Sequence, residues 1–263
     1  MKINKRKTFP SAPRKPKGLA RKSAEPKPPD IFQKKFRALL PAAKDALGLN
    51  MTWPTPLAVA NVALQTQVFS RLRPETDLEK RICAHPDFLA CVVWGPKRPG
   101  HHEGTVMEHI ALLFNEIEQW TNNPAARALP FRPAPRRVLR PIGLIHDAFK
   151  RYQYEKPKAL PQASHFQFAA SFARHLGVSE NICRVIELHD FSFYIMRDFK
   201  KTGDEATAKE RTRQLLACVD PKIYFAFIYV DRRAGLEPDG SPGNTDGIIA
   251  FWNQVQAWGL LNG

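Results

Sequence analysis

No stretch of this 263-residue chain sustains the alternation of apolar and polar residues that a half-buried strand needs, so a sheet-built fold is not expected. No repeat period appears, which excludes solenoids and propellers. No run approaches the roughly 18 uncharged apolar residues of a membrane-crossing helix, so no membrane partner is expected. The first residues lack the apolar core of a secretory signal, and their prolines oppose an amphipathic transit helix. Cysteine is scarce. Cys83, Cys91, Cys183 and Cys218 show no C-x-x-C spacing, and three lie in apolar helical patterns. They read as buried free thiols in a reducing cytoplasm.

Acidic charge is short too, with 25 Asp and Glu against 40 Lys and Arg. The excess is uneven: residues 1–30 hold ten Lys/Arg against Glu25 and Asp30, a net of +8, which leaves +7 for the remainder. That stretch has six prolines and few apolar residues, the composition of a disordered basic arm. It reads equally as a nonspecific contact to nucleic-acid phosphates or as a solubilising tail, with a nuclear-import signal as a third possibility.

Apolar residues make up 43% of the chain, with 17 Phe, ample for a core. Residues 31–263 therefore read as one helical domain. IFQKKFRALLPAAKDALGL suggests a helix interrupted near Pro41, and Thr55-Pro56 caps a second that ends before Pro74. A third follows Thr76 through Val93. Two connections stand out as candidate lips or spacers: a Pro/Arg-rich one at 121–137 and a Gly/Pro/Asn one at 234–247. A final helix runs through Ile248, Trp252 and Val255.

The residues that carry chemistry are His109, His146, Asp147, His165, His189 and Asp231. In GTVMEHIALLFNEI, His109 lies on the stripe of Val106, Ile110, Leu113 and Ile117. His165 heads a stripe of Phe168, Ala169, Phe172 and Ala173, closed by Gly177. Ser179 caps a helix in which Ile182, Val185 and Ile186 lead to His189. Asp220-Pro221 starts another, in which Tyr224, Phe227 and Ile228 precede Asp231. The fifth segment, PIGLIHDAF, is apolar nearly all round, as a central helix should be. One His on an apolar stripe is ordinarily a hydrogen-bonded core residue. Five segments, four with such a His and two with a buried Asp, are better explained by a divalent metal, because a buried carboxylate must be paired or coordinated. His85 and His175 are not needed and read as packing or surface residues.

HHEGTVMEH (101–109) resembles the segment leading into the first ligand of HD domains attached to tRNA nucleotidyltransferases, and HDAFK is similar to the H-D-x-G-K of the HD-domain superfamily of metal-dependent phosphohydrolases. Phe149 stands where the family has glycine. The resemblance spans about residues 100–235. It implies an all-α, HD-domain-like helical bundle carrying extra N-terminal helices, with His109, His146, Asp147 and Asp231 as metal ligands. The added His165 and His189 match the subset that holds two ions, here of iron, manganese, cobalt or zinc, with magnesium and nickel left open.

The implied activity is hydrolysis of a phosphoester of a nucleotide or nucleic acid through a metal-activated hydroxide. Lys150 and Arg232 are the expected phosphate-contacting cations, whereas Arg151 and Arg233 read as solvated charges. By resemblance His101 and Glu103 sit at the mouth of the site, His101 with a catalytic role and Glu103 against substrate. Asp190, beside His189, reads as a carboxylate that orients an imidazole from behind. The same six ligands also resemble the mixed-valent di-iron oxygenases of this superfamily. A nucleic-acid-binding module with a structural metal is the third reading.

Overall fold

The computed structural model describes residues 61–97, 101–123, 129–155 and 163–261. These residues form α1 (Val62–Leu72), α2 (Asp77–Ala84), α3 (Pro86–Val92), α4 (Val106–Asn122), α5 (Arg136–Ile145), α6 (Lys150–Glu155), α7 (His165–His175), α8 (Glu180–Leu188), α9 (Phe191–Thr202), α10 (Glu205–Leu216), α11 (Pro221–Ala234) and α12 (Asp246–Ala257). Extended pairing among them is confined to isolated bridges, such as that between Leu236 and Pro242. The fold is all-α, and no described helix is long and apolar enough to cross a membrane. The basic arm, the helix expected near Pro41 and the Thr55-Pro56 cap lie outside the described residues.

Local chemistry sets the helix starts. Thr105 accepts from the Glu108 amide at the head of α4, and Asp220 accepts from the amides of Lys222 and Ile223 at the head of α11, where Pro221 loses nothing by lacking an N–H. Ser164 and Gln167 close a capping box on α7. Gly177, at φ 76°, and Gly203, at φ 70°, follow α7 and α9 in the left-handed conformation that ends helices.

Two expected elements come out differently. The helix expected from Thr76 to Val93 is two, because Pro86 has no amide to continue the first; the His85 side chain instead accepts from the Asp87 amide and caps α3. The segment PIGLIHDAF is not one helix either. α5 ends at Ile145, and residues 146–149 turn through tighter bonds such as Ala148 N–H to the Ile145 carbonyl at 3.1 Å. Phe149 needs no glycine-like backbone there, since Arg73 alone among the described non-glycine residues has positive φ. Its ring is fully buried, edge-on to Phe172 at 5.0 Å. Packing anchors this turn where the expected motif has glycine.

α5 is the central element, packed against α2, α4, α7, α8 and α11. Gly143 permits the closest approach: a Cβ there would lie 2.3 Å from Leu113 Cδ2 of α4. Behind it, the buried Arg140 guanidinium forks onto Glu79 at 2.9 and 3.0 Å and lies 3.9 Å over the Phe114 ring, tying α2, α4 and α5. The connection at 121–137 is no lip where it is described. Phe131 is buried among Trp120, Phe225, Tyr229 and Trp252.

Candidate metal centre

All six expected ligands converge. His109 projects from α4, His146 and Asp147 from the turn after α5, His165 from the first turn of α7, His189 from the end of α8 and Asp231 from α11. His109 Nε2 and His146 Nε2 each lie 3.0 Å from Asp231 Oδ1. Asp147 faces both sides: Oδ2 is 3.5 Å from His146 Nε2, and Oδ1 is 3.3 Å from His165 Nε2 and 3.7 Å from His189 Nε2. An ion bound at roughly 2.0–2.2 Å spaces its ligand atoms by about 3 Å, so these separations suit coordination.

The opposite edge of each ring supplies the orientation. His109 Nδ1 donates to Glu103 Oε1 at 2.9 Å, His146 Nδ1 to the Gly143 carbonyl at 3.0 Å, His165 Nδ1 to Gln153 Oε1 at 2.8 Å and His189 Nδ1 to the Ile186 carbonyl at 2.8 Å. All four acceptors fix the proton on Nδ1 of the neutral imidazole and turn the Nε2 lone pair toward the carboxylates. Lone pair then faces lone pair. Buried, this is unfavourable unless a cation lies between them. His146 Nε2, His165 Nε2 and Asp147 Oδ1 are indeed buried and complete no hydrogen bond within the described residues. The donor set fits a divalent metal.

Proton affinities follow the same charges. Burial opposes ionisation of Asp147, yet the Lys150 ammonium and the adjoining imidazoles of His146, His165 and His189 hold it well below the usual carboxylate range. Burial opposes Asp231 likewise and is outweighed by His146 and His109. Burial depresses His109, but Asp231 and Glu103 raise it to about 9; His189 is raised to about 9 by Asp190 and Asp147 against its burial. For His165 burial prevails and the value falls. Without metal, protons on His109 and His189 substitute for the missing positive charge.

Two expected positions are corrected, those of Glu103 and Asp190. Glu103 is not at the mouth against substrate: its side chain is 2% exposed, accepts from His101 and His109 and takes the Leu236 amide at 3.1 Å. It tethers the 234–247 loop to the ligand helix. Asp190 does not stand behind an imidazole, since its oxygens lie 3.6 Å from the Nε2 atoms of both His165 and His189. Lys150 is engaged directly by Asp147 Oδ2. Arg151 pairs with Glu155 at the surface, Arg233 pairs with the largely buried Glu116 rather than standing solvated, and His85 and His175 lie outside the cluster.

A cavity of about 570 Å³ opens on His101, His189, Asp190 and Asp231. Met196, Ile228, Ile248 and Phe251 give it an apolar wall, and Arg197, Lys200 and Arg232 give it cations. Gly235, Asn244 and Gly247 of the second expected lip line it. Sequence reasoning missed Gln153, Arg197 and Lys200; only Gln153 had a signal, standing three residues past Lys150 on the short helix that leaves the site. No protein-family model, curated protein or solved structure matches the chain.

Proposed function

We propose that this chain is an HD-type metal-dependent phosphohydrolase acting on a phosphoester of a nucleotide or nucleic acid. The carrying observation is the charge of the cavity beside the donor cluster. Arg197, Lys200 and Arg232 border a space whose inner end is made by His189, Asp190 and Asp231. Arg232 is partly committed, to the Asn244 carbonyl at 3.1 Å and Glu237 at 2.7 Å, which fixes its guanidinium at the rim. Such cations suit a dianionic or diester phosphate, whose charge they neutralise, better than an uncharged substrate, to which they offer hydrogen bonds alone. That ranks phosphate chemistry above oxygen chemistry on the same ligands. The apolar wall and the Phe193 ring, 63% exposed at its edge, suit the organic part of the substrate, as base stacking on an aromatic does.

Two divalent ions held by His109, His146, Asp147, His165, His189 and Asp231 would supply Lewis acidity and a water that ionises near neutral pH. The protein's own groups do the rest. Lys150 holds its ammonium at the Asp147 carboxylate, within reach of a nonbridging phosphate oxygen entering the cluster. His101 donates Nδ1–H to Glu103 at 2.8 Å, which leaves Nε2 to exchange a proton with an oxygen in the cavity. Cys83, Cys91 and Cys183 are buried free thiols, in keeping with a reducing cytoplasm as the setting.

The test is phosphate release from a panel of nucleotides and oligonucleotides by protein reconstituted with manganese, cobalt, zinc or iron. Release that is lost in Asp147→Ala and weakened in KM by Arg197→Ala is expected. Absence of release across the panel, together with substrate-dependent oxygen uptake by the iron form, overturns the reading.

A further inference from the structure

The donor cluster holds two sets of three residues, joined by a third set of His146, Asp147 and His189. His109, His146 and Asp231 form one group whose ligand atoms lie within 4.8 Å of one another; His165, His189 and Asp190 form another by the same measure. Asp147 lies between them, with Oδ2 toward His146 and Oδ1 toward His165 and His189. The six-residue pattern in the sequence leaves the second group without a carboxylate of its own. Asp190 supplies it.

We propose that Asp190 is a seventh metal ligand, which with His165, His189 and Asp147 completes a second ion position, separate from the His109–His146–Asp231 position. The proposal rests on the metal-centre reading above. Three observations carry it. Both imidazoles already have their orienting partners, Gln153 and the Ile186 carbonyl, so no place behind them remains for Asp190. Its two oxygens instead divide between the metal-facing nitrogens, Oδ2 toward His165 and Oδ1 toward His189, each at 3.6 Å. Asp190 also stands at the N-cap of α9 yet makes no side-chain cap bond, so the helix does not consume its carboxylate.

A further sign comes from the neighbours. His165 Nε2, on a residue 4% exposed, and Asp147 Oδ1, on one 3% exposed, are buried without hydrogen bonds and aim into the space that Asp190 closes. Asp190 is 33% exposed on its side chain and reaches the cavity, so the second position borders the substrate space. An ion there would be open on one side. A six-coordinate ion held by these four residues would keep positions for water or substrate.

The experiment is equilibrium dialysis of the full-length protein against Co(II), read by elemental analysis and by the visible absorption of the bound ion. Wild type is expected to take two ions per chain. Asp190→Asn, an isosteric change at a partly exposed position, is expected to keep one ion and weaken the second by more than about 100-fold. Gln153→Ala serves as the yardstick, since loss of an orienting partner costs roughly 10–100-fold in affinity. Asp231→Asn should weaken the other ion and keep the one at Asp190. Circular dichroism of each variant confirms the fold. Two ions with unchanged affinity in Asp190→Asn, or a loss no larger than that of Gln153→Ala, overturns the assignment of Asp190. Wild type that binds no ion overturns the metal-centre reading itself.

Discussion

The Tyr224 hydroxyl accepts from the Ser192 amide at 3.1 Å and lies 3.1 Å from the Leu188 carbonyl and 3.2 Å from that of His189. One fully buried side chain of α11 thereby pins the corner between α8 and α9 on which His189 and Asp190 stand. Phe227, one turn further along α11, packs its ring edge-on to His146 at 5.1 Å. The helix that carries Asp231 thus also sets the position of three other groups in the cluster.

Tyr224→Phe should therefore cost more than one hydrogen bond. It orphans a buried amide and removes the donor to the corner carbonyls, at about 1–3 kcal/mol. Urea unfolding of the metal-free variant measures the loss. Dialysis against Co(II) should show the ion near His189 weakened more than the one near His109. Equal weakening of both ions would mean that the corner is held by packing alone.

The six candidate ligands stood out in the sequence because a helix that turns a polar side chain inward still has to bury an apolar stripe. His109 and Asp231 fall on stripes of Ile, Leu and Phe that a period of 3.6 residues exposes at once. The cap at Asp220 was legible for the same local reason, whereas Ser179 takes the N-cap position of α8 without a side-chain cap bond. What stayed hidden depends on contacts between distant segments. Gln153 reaches His165 across 12 residues that include an undescribed stretch, and Glu103 reaches Leu236 across 133. Asp190 was visible as a neighbour of His189, but its direction depends on the corner, which Tyr224 sets from 34 residues away. Pattern gives the residue type on a face; the far partner decides which atom faces inward.

Gly143 offers a second prediction, because it serves both packing and the site. Its missing side chain admits Leu113, and its carbonyl orients His146. Gly143→Ala gains helix propensity yet forces the buried Leu113 side chain to move, and overpacking of this kind costs about 1–3 kcal/mol. Thermal unfolding should show the loss. Metal affinity should fall with it, since the His146 ring moves with the backbone that holds it.

The Arg140–Glu79 pair predicts a larger effect. Both side chains are buried, at 5% and 1% exposure, so neither charge can recover its hydration in place. Arg140→Leu leaves Glu79 buried and unpaired, which costs about 3–5 kcal/mol. The double variant Arg140→Leu, Glu79→Leu should recover much of that loss. A double variant as unstable as the single one would show that the ring contact with Phe114, rather than the charge pair, holds this layer.

Three thiols set an alkaline limit. Burial pushes Cys83, Cys91 and Cys183 up to about 12 from an ordinary value of 9.0. Above pH 9 the unfolded chain loses these protons and the folded one keeps them, so stability falls as pH rises from 9 toward 12. At pH 8 a thiol reagent should label Cys218 first in the native protein and all four after unfolding. Rapid native labelling of Cys83 would mean that the α2–α5 layer opens.

Lys150 gives the sharpest prediction about the reaction. Its ammonium already pairs with Asp147, a residue that faces both ion positions, so a phosphate entering between them meets this charge as well. A cation that acts mainly on charge developing in the transition state lowers turnover when removed and leaves substrate affinity nearly intact. Lys150→Met should accordingly reduce kcat for phosphate release by about 10²-fold, the order seen when one such donor is lost. Bound metal should stay at the wild-type level, because Asp147 loses a competitor and keeps its imidazole partners. Loss of metal in step with loss of turnover would recast Lys150 as a residue that holds Asp147 in place. Full retention of phosphate release would remove it from the chemistry. Oxygen uptake by the iron form that depends on Lys150 in the same way, with no phosphate released, would place the ammonium against a different anionic substrate and give the centre to oxygen.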